Sequence, residues 1–255
     1  MNEAGGGLKI FISFIKCYGI VNGCRLFLKI KFGNINKIKL PGIEHPISLR
    51  KGTSDIPAFY QVFLNREYNI AFDESPKIII DGGANIGLFA IVMKNRYPDA
   101  KIICLEPDPE NFSQLLKNTS LYKNIICENC GVWNKETRLK VYDKYKFGKW
   151  GIVVEENELE GSVFAISMNE VMRKYSLNYI DILKLDIETS EKQVFSDSFE
   201  EWLPKIKIVL IELHDWIEKG CSKPFFKAIN TSFNDYSFSA KGENVIIINN
   251  DFLPK

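Results

Sequence analysis

Residues 78–91 read IIIDGGANIGLFAI. A branched apolar run ends on Asp81, the chain passes at once through Gly82, Gly83 and Gly87, and a second apolar stretch begins. Branched residues suit a buried strand. Glycines allow a tight turn with positive φ and a close approach of other backbone. The stretch therefore predicts a strand, a glycine turn and a helix, the crevice at which open α/β sheets hold nucleotide-like ligands.

Two ligand classes compete for such a turn. A dinucleotide wants G-x-G-x-x-G, with its pyrophosphate on the helix N-terminus. Here the hexad is Gly82-Gly83-Ala84-Asn85-Ile86-Gly87, so Ala84 holds the middle glycine position. Asp81 precedes the first glycine, where a carboxylate repels a pyrophosphate. It attracts instead the ammonium and sulfonium groups of S-adenosyl-L-methionine, directly or through water. The next strand-like run, KIICLEP, closes on Glu106, where an acid can accept both ribose hydroxyls. Glu106 serves either class, but with Asp81 it favours the methyl donor. Pro107 and Asp108 are expected to shape the ribose loop, and Asn129 is a candidate for the adenine side.

Around this turn the chain alternates. Strand-like runs at 77–81, 101–106, 124–129, 179–186 and 206–213 are separated by helical runs at 86–96, 109–119, 169–175, 190–203 and near 224–233. β-like runs also fall at 138–144 and 162–168. Alternation of this kind implies a parallel sheet with helices on both faces, and the near-continuous apolar strands agree. Two last strands joined through Gly242 read as a hairpin that adds one antiparallel strand. Upstream, residues 1–32 read as helical with a break at Gly19 and Gly23, and 37–50 as a small β-ribbon. Ser54 and Asp55 read as the cap of an aromatic-rich helix with Pro57 early in it. The expected division is residues 1–50 as helices and ribbon packed on the core, and 51–255 as the main domain.

The 255 residues are 45% hydrophobic and 25% charged, an ordinary globular composition. A net charge of +1 gives no bulk field that would point to nucleic acid as a partner. Six cysteines include one C-x-x-C, Cys127 and Cys130, with no second pair to complete a zinc site. They read as strand residues in a reducing, cytoplasmic setting. The apolar stretch 8–33 is interrupted by Lys9, Lys16, Arg25, Lys29 and Lys31, so neither a spanning helix nor a signal peptide is expected. It reads as amphipathic helices packed on the domain, with a basic surface touching anionic lipid as the alternative.

The runs DGGANIGLFAI, LEPDPENFSQLLKN, DILKLDIETSEKQVF and VLIELHD, in that order, resemble the FkbM-type methyltransferases. The resemblance covers about residues 40–250. It implies a Rossmann-like class I methyltransferase sheet, S-adenosyl-L-methionine as cofactor, and O-methylation of a sugar, glycan precursor or secondary metabolite. It also implies partial cofactor contact from Thr53, Ser54 and Asp55, in the segment before the first strand. One position departs: the family pattern K-x-D-x-E-G-x-E has Thr189 where the glycine usually stands. A nicotinamide-dependent oxidoreductase and a non-catalytic relative remain as alternatives.

Methyl transfer is an in-line displacement, so the protein must align an acceptor oxygen and take its proton. Proton acceptors should gather where the fourth and fifth strands end. Asp186, Glu188 and His214 sit there, and alternation along an extended chain would turn both acids to one side. His214 has an ordinary pKa suited to a base near neutrality. Glu212 is expected to share its face. Lys184 reads as a partner for a neighbouring carboxylate, and Glu191 as a first-turn helix acid. The set Asp186, Glu188, Glu212 and His214 also has donor types that suit a divalent metal; spacing leaves that open.

Overall fold

Along β1 (Ile78–Gly82), Ile79 and Ile80 enter two different buried clusters, one on each face of the sheet. The same split recurs at Ile102 and Ile103 in β2 (Lys101–Leu105). These strands are therefore apolar throughout because period-two side chains are buried on both sides. Each Ile fully withdrawn from water contributes about 1.5–3 kcal/mol. The structure, a computed structural model, describes residues 3–70, 72, 75–143, 152–157 and 162–252.

The remaining strands are β3 (Ile125–Glu128), β4 (Gly131–Trp133), β5 (Thr137–Asp143), β6 (Ile152–Glu156), β7 (Val163–Ser167), β8 (Ile180–Leu185), β9 (Ile206–Glu212), β10 (Tyr236–Lys241) and β11 (Asn244–Asn249). Seven form one sheet in the order β10-β11-β9-β8-β1-β2-β3. β11 alone runs against its neighbours in that sheet, between β9 and β10. The order reverses at β1, so the ends of β1, β2 and β8 frame the switch-point crevice. A second sheet, β4-β7-β5-β6, stands beside it. The sequence shows β5 and β7 but neither β4 and β6 nor that the four form a separate sheet. Residue 144, the expected end of β5, and residues 1 and 2 lie outside the described part.

The helices are α1 (Glu3–Phe32), α2 (Asp55–Phe59, continued as a π-helix over Tyr60–Leu64), α3 (Leu88–Arg96), α4 (Pro109–Thr119), α5 (Met168–Lys174), α6 (Glu191–Val194) and α7 (Ser222–Ser232). α4 begins as its sequence dictates: Asp108 accepts from the N–H groups of Glu110 and Asn111, and Pro109 needs no donor. Three expectations change. The helix over 190–203 is one turn of α6 followed by 3₁₀ pieces, because Ser198 takes a left-handed φ of 56°. There Phe195 and Trp202 fold toward each other, ring centroids 5.6 Å apart. The ribbon over 37–50 reduces to a single bridge, Ile38 to Ile47. Ser54 makes no capping bond through its side chain.

α1 breaks at Gly19 (φ 77°, ψ 170°) and folds back on itself. Gly23 faces the first arm so closely that a Cβ there would lie 2.8 Å from the Ile15 backbone. Phe14, Leu26 and Ile30 enter the same buried cluster as Ile79 and Phe89.

Candidate active site

The glycine turn is held by backbone. The N–H groups of Gly83 and Ala84 both donate to the Leu105 carbonyl at 3.0 Å, which ties β1 to the end of β2. Gly83 has φ +73°, and a Cβ there would lie 1.7 Å from the Asp186 carbonyl oxygen. Only glycine lets the turn press against the end of β8.

Glu106 lies at the end of β2, almost fully buried. One carboxylate oxygen accepts from the Asn85 N–H at 2.7 Å, the other from the Asp108 N–H at 2.9 Å. Burial pushes its pKa up to about 7, against the pull of those two bonds. Asn129 donates to the carbonyls of Glu106 and Pro107. It therefore braces the ribose-side loop and is not among the residues lining the cleft, contrary to its expected place.

That cleft encloses about 740 Å³, part of it open to solvent. Gly83, Asn85, Glu106, Pro107 and Asp108 line it together with Asp186 and Glu188. Sequence reasoning missed Ile187, Ser190, Asn111, Gly131, Val132 and Leu139, which complete the lining. The last three come from the second sheet, whose placement no local pattern encodes.

Asp81 does not line the cleft. It is fully buried and pairs with Lys184, whose Nζ lies 3.2 Å from Asp81 Oδ1 and 3.6 Å from Asp186 Oδ2. The same Nζ donates to the Gly83 carbonyl at 2.8 Å. Burial raises the Asp81 pKa and Lys184 partly offsets that. Burial disfavours the lysine charge, but Asp81 and Asp186 outweigh it and raise its pKa. The direct attraction expected of Asp81 thus gives way to an indirect part: it anchors the lysine that pins the glycine turn.

Thr53, Ser54 and Asp55 also lie off the cleft. Asp55 is buried and accepts from the Arg50 backbone and guanidinium, with Nη2 to Oδ1 at 2.7 Å. Arg50 Nη2 reaches on to Asn111 Oδ1, also at 2.7 Å. The segment is thus a clamp that locks the start of α2 to α4. One to two turns later, Ala58, Gln61 and Val62 line a smaller cavity with Tyr68, Lys184 and Asp186.

Beyond β8 the chain does not stay extended. Glu188 (φ 48°) and Thr189 (φ 74°) are both left-handed. This turn, rather than strand alternation, brings Asp186 and Glu188 together, with side-chain oxygens 3.7 and 3.6 Å from His214 Nε2. Glu212 is 3.5 Å from the same nitrogen. Nδ1 is bound to the buried Glu191 at 2.7 Å. Burial disfavours the imidazolium, but Glu191 and Glu212, joined by the charge of Glu188, push its pKa up to about 11. His214 is therefore a cation near neutrality and not the free base its ordinary pKa implied. Burial, opposed by His214, lifts Glu188 to about 8. Asp186, Glu212 and His214 bring one donor atom each within 4.8 Å of one another, a set fit for a divalent cation once the imidazolium proton has left.

Two buried acceptors of cleft residues, Asn85 Oδ1 and Glu188 Oε2, have no hydrogen-bond partner. A ligand carrying hydroxyl and ammonium donors would satisfy them. The strand order with its one reversed strand, the glycine turn and the acid closing β2 together define a Rossmann-like sheet of the methyltransferase kind. The methyltransferase FkbM domain matches residues 81–240, and the chain belongs to that family.

Methyltransferase sdnD of Sordaria araneosa is 28% identical over 189 residues, covering 60% of this chain and 73% of that one. Methyltransferase 1 of Beauveria bassiana is 25% identical over 181 residues, covering 61% and 72%. The crystal structure of a methyltransferase FkbM from Methylobacillus flagellatus is 12% identical with a TM-score of 0.49. The alignment covers 95% of this chain and 59% of that chain, so less than two thirds of its length is matched. The protein is a methyltransferase, and the oxidoreductase alternative falls.

Proposed function

We propose that the protein transfers the methyl group of S-adenosyl-L-methionine to a hydroxyl of a small acceptor, a sugar, glycan precursor or secondary metabolite. The observation that carries this reading is one cleft lined at once by Glu106, the glycine turn, Asp186 and Glu188. Glu106 would hold the ribose hydroxyls, and Asn85 the remaining donors of that end. The cofactor supplies an electrophilic methyl on a sulfonium leaving group.

The protein's own part is alignment and proton removal. Glu188 would take the proton of the acceptor hydroxyl as that oxygen is methylated. Glu188 takes this part because His214 already holds its proton and burial lifts the Glu188 carboxyl to about 8, where it can accept one. Asp186 orients the acceptor and, with Lys184, the turn beneath it. The imidazolium keeps the acid cluster from accumulating charge. On the acceptor side Trp216 is exposed, its ring 6.3 Å from that of His214, and offers a flat face for a sugar ring. Gln61 donates to Glu243 nearby, closing the α2 side.

Isothermal titration tests this reading. S-adenosylhomocysteine should bind and NAD should not. Glu188→Gln should lose turnover on an accepted hydroxyl while keeping its affinity for S-adenosylhomocysteine. Binding of NAD alone, or full turnover by the variant, would overturn it.

A further inference from the structure

The two arms of α1 turn one face inward and leave the other bare. The inward face is Phe14, Leu26 and Ile30, with Tyr18 Oη donating to the Phe63 carbonyl at 3.3 Å. The outward face carries Leu8, Ile12, Ile20, Val21, Leu28 and Phe32, with Val21 80% and Ile20 71% exposed. These six are half of the large apolar side chains exposed among the described residues, gathered into 25 positions. Exposed apolar groups so concentrated mark an interaction surface.

Charge says what that surface meets. Residues 4–43 hold seven lysines and arginines and no acid, in a chain whose net charge is only +1. None of the seven forms a salt bridge among the described residues. Lys9, Lys16, Arg25 and Lys31 are exposed beside the apolar stripe. Arg25, Lys29, Lys37 and Lys39 line one cleft at the foot of the second arm. A second copy of this chain would bring like charge against like charge, which disfavours a symmetric pair. An anionic bilayer offers both an apolar layer and phosphates at its edge.

By length and composition the helix Gly6–Phe32 is apolar enough to cross a membrane. The break at Gly19 rules that out while the fold holds. The arms, residues 3–18 and 20–32, are each shorter than the ~20 residues a span needs, and both are packed on the core.

We propose that this hairpin docks the protein flat on an anionic membrane surface, with Ile20, Val21 and Leu28 entering the headgroup boundary and the basic groups meeting lipid phosphates. The docking face lies on the outer side of the hairpin. The inner side packs against the Tyr60–Leu64 helix, whose Gln61 and Val62 line the smaller cavity beside Asp186. Docking would therefore hold the acceptor side of the cleft close to the bilayer.

The test is flotation of the full-length protein with vesicles of phosphatidylcholine alone or with added phosphatidylserine, at low and high salt. The expected result is binding to the anionic vesicles only, weakened by salt. A Lys9→Gln, Lys16→Gln, Arg25→Gln variant should lose roughly a hundredfold in affinity. An Ile20→Ser, Val21→Ser, Leu28→Ser variant should also lose binding. Both should retain wild-type affinity for S-adenosylhomocysteine, which shows them folded and separates this outcome from any failure of the methyltransferase reading. No binding to either vesicle, or binding that both variants keep, would overturn the proposal. So would a dimer in solution that the serine variant dissociates, since the face would then belong to a second copy.

Discussion

Glu106 offers the sharpest perturbation. Its two oxygens each accept one backbone N–H, and the lone pairs left over are the proposed acceptors for the ribose hydroxyls. A hydrogen bond to a charged group contributes ~1.5–3 kcal/mol. Glu106→Ala should therefore weaken binding of S-adenosylhomocysteine roughly 10- to 150-fold. Because the pKa lies at about 7, ionisation is incomplete at neutrality. Hydroxyl donors favour the ionised form, whose fraction rises with pH. Wild-type affinity should thus increase by up to about tenfold between pH 6 and pH 8. In Glu106→Ala that slope should vanish, and Glu106→Gln, which keeps one acceptor oxygen, should bind between the two with no slope. Isothermal titration at the two pH values measures all three. A wild-type affinity flat with pH, together with an unchanged dissociation constant for Glu106→Ala, would refute the assignment.

Further consequences concern the acid cluster. With Glu188 near 8, turnover should rise with pH and level off above about pH 8, and Glu188→Gln should remove that limb of a pH–rate profile. His214→Ala leaves buried Glu191 and its neighbours without their cation, so it should cost at least ~3 kcal/mol, read as a melting temperature lower by roughly 6–12 °C. The stabilising charge of His214 is fully present below about pH 6.5 and is lost as pH rises to about 11, so the gap between wild type and variant should narrow progressively across that range. Thr189→Gly relieves a left-handed conformation that costs a branched residue ~1–2 kcal/mol, against ~0.4–1 kcal/mol of added unfolded-chain entropy. It should stabilise the fold slightly in a denaturant titration, and clear destabilisation would show that the Thr side chain supports the turn.

The local signals were legible. Glycines at 82, 83 and 87 and the apolar runs around them predict β1, its turn and α3 because each depends on residues close in sequence. Glu106 at the end of β2 was legible for the same reason. Asp81 was not, because its partner Lys184 lies opposite it across the β1–β8 register. A strand-end acid looks the same from sequence whether it faces a ligand or a lysine. His214 reads as a neutral base until Glu188 and Glu191, from the segment after β8, join Glu212 around it and set its charge. Thr53 to Asp55 carry capping residues at a helix start, and only Arg50, reaching both Asp55 and Asn111, makes them a clamp.

The most direct measurement is a crystal structure of the complex with S-adenosylhomocysteine. The account predicts the ribose hydroxyls within hydrogen-bond reach of Glu106 and the sulfur turned toward Asp186 and Glu188. A ligand bound elsewhere, or a ribose that leaves Glu106 untouched, would contradict it.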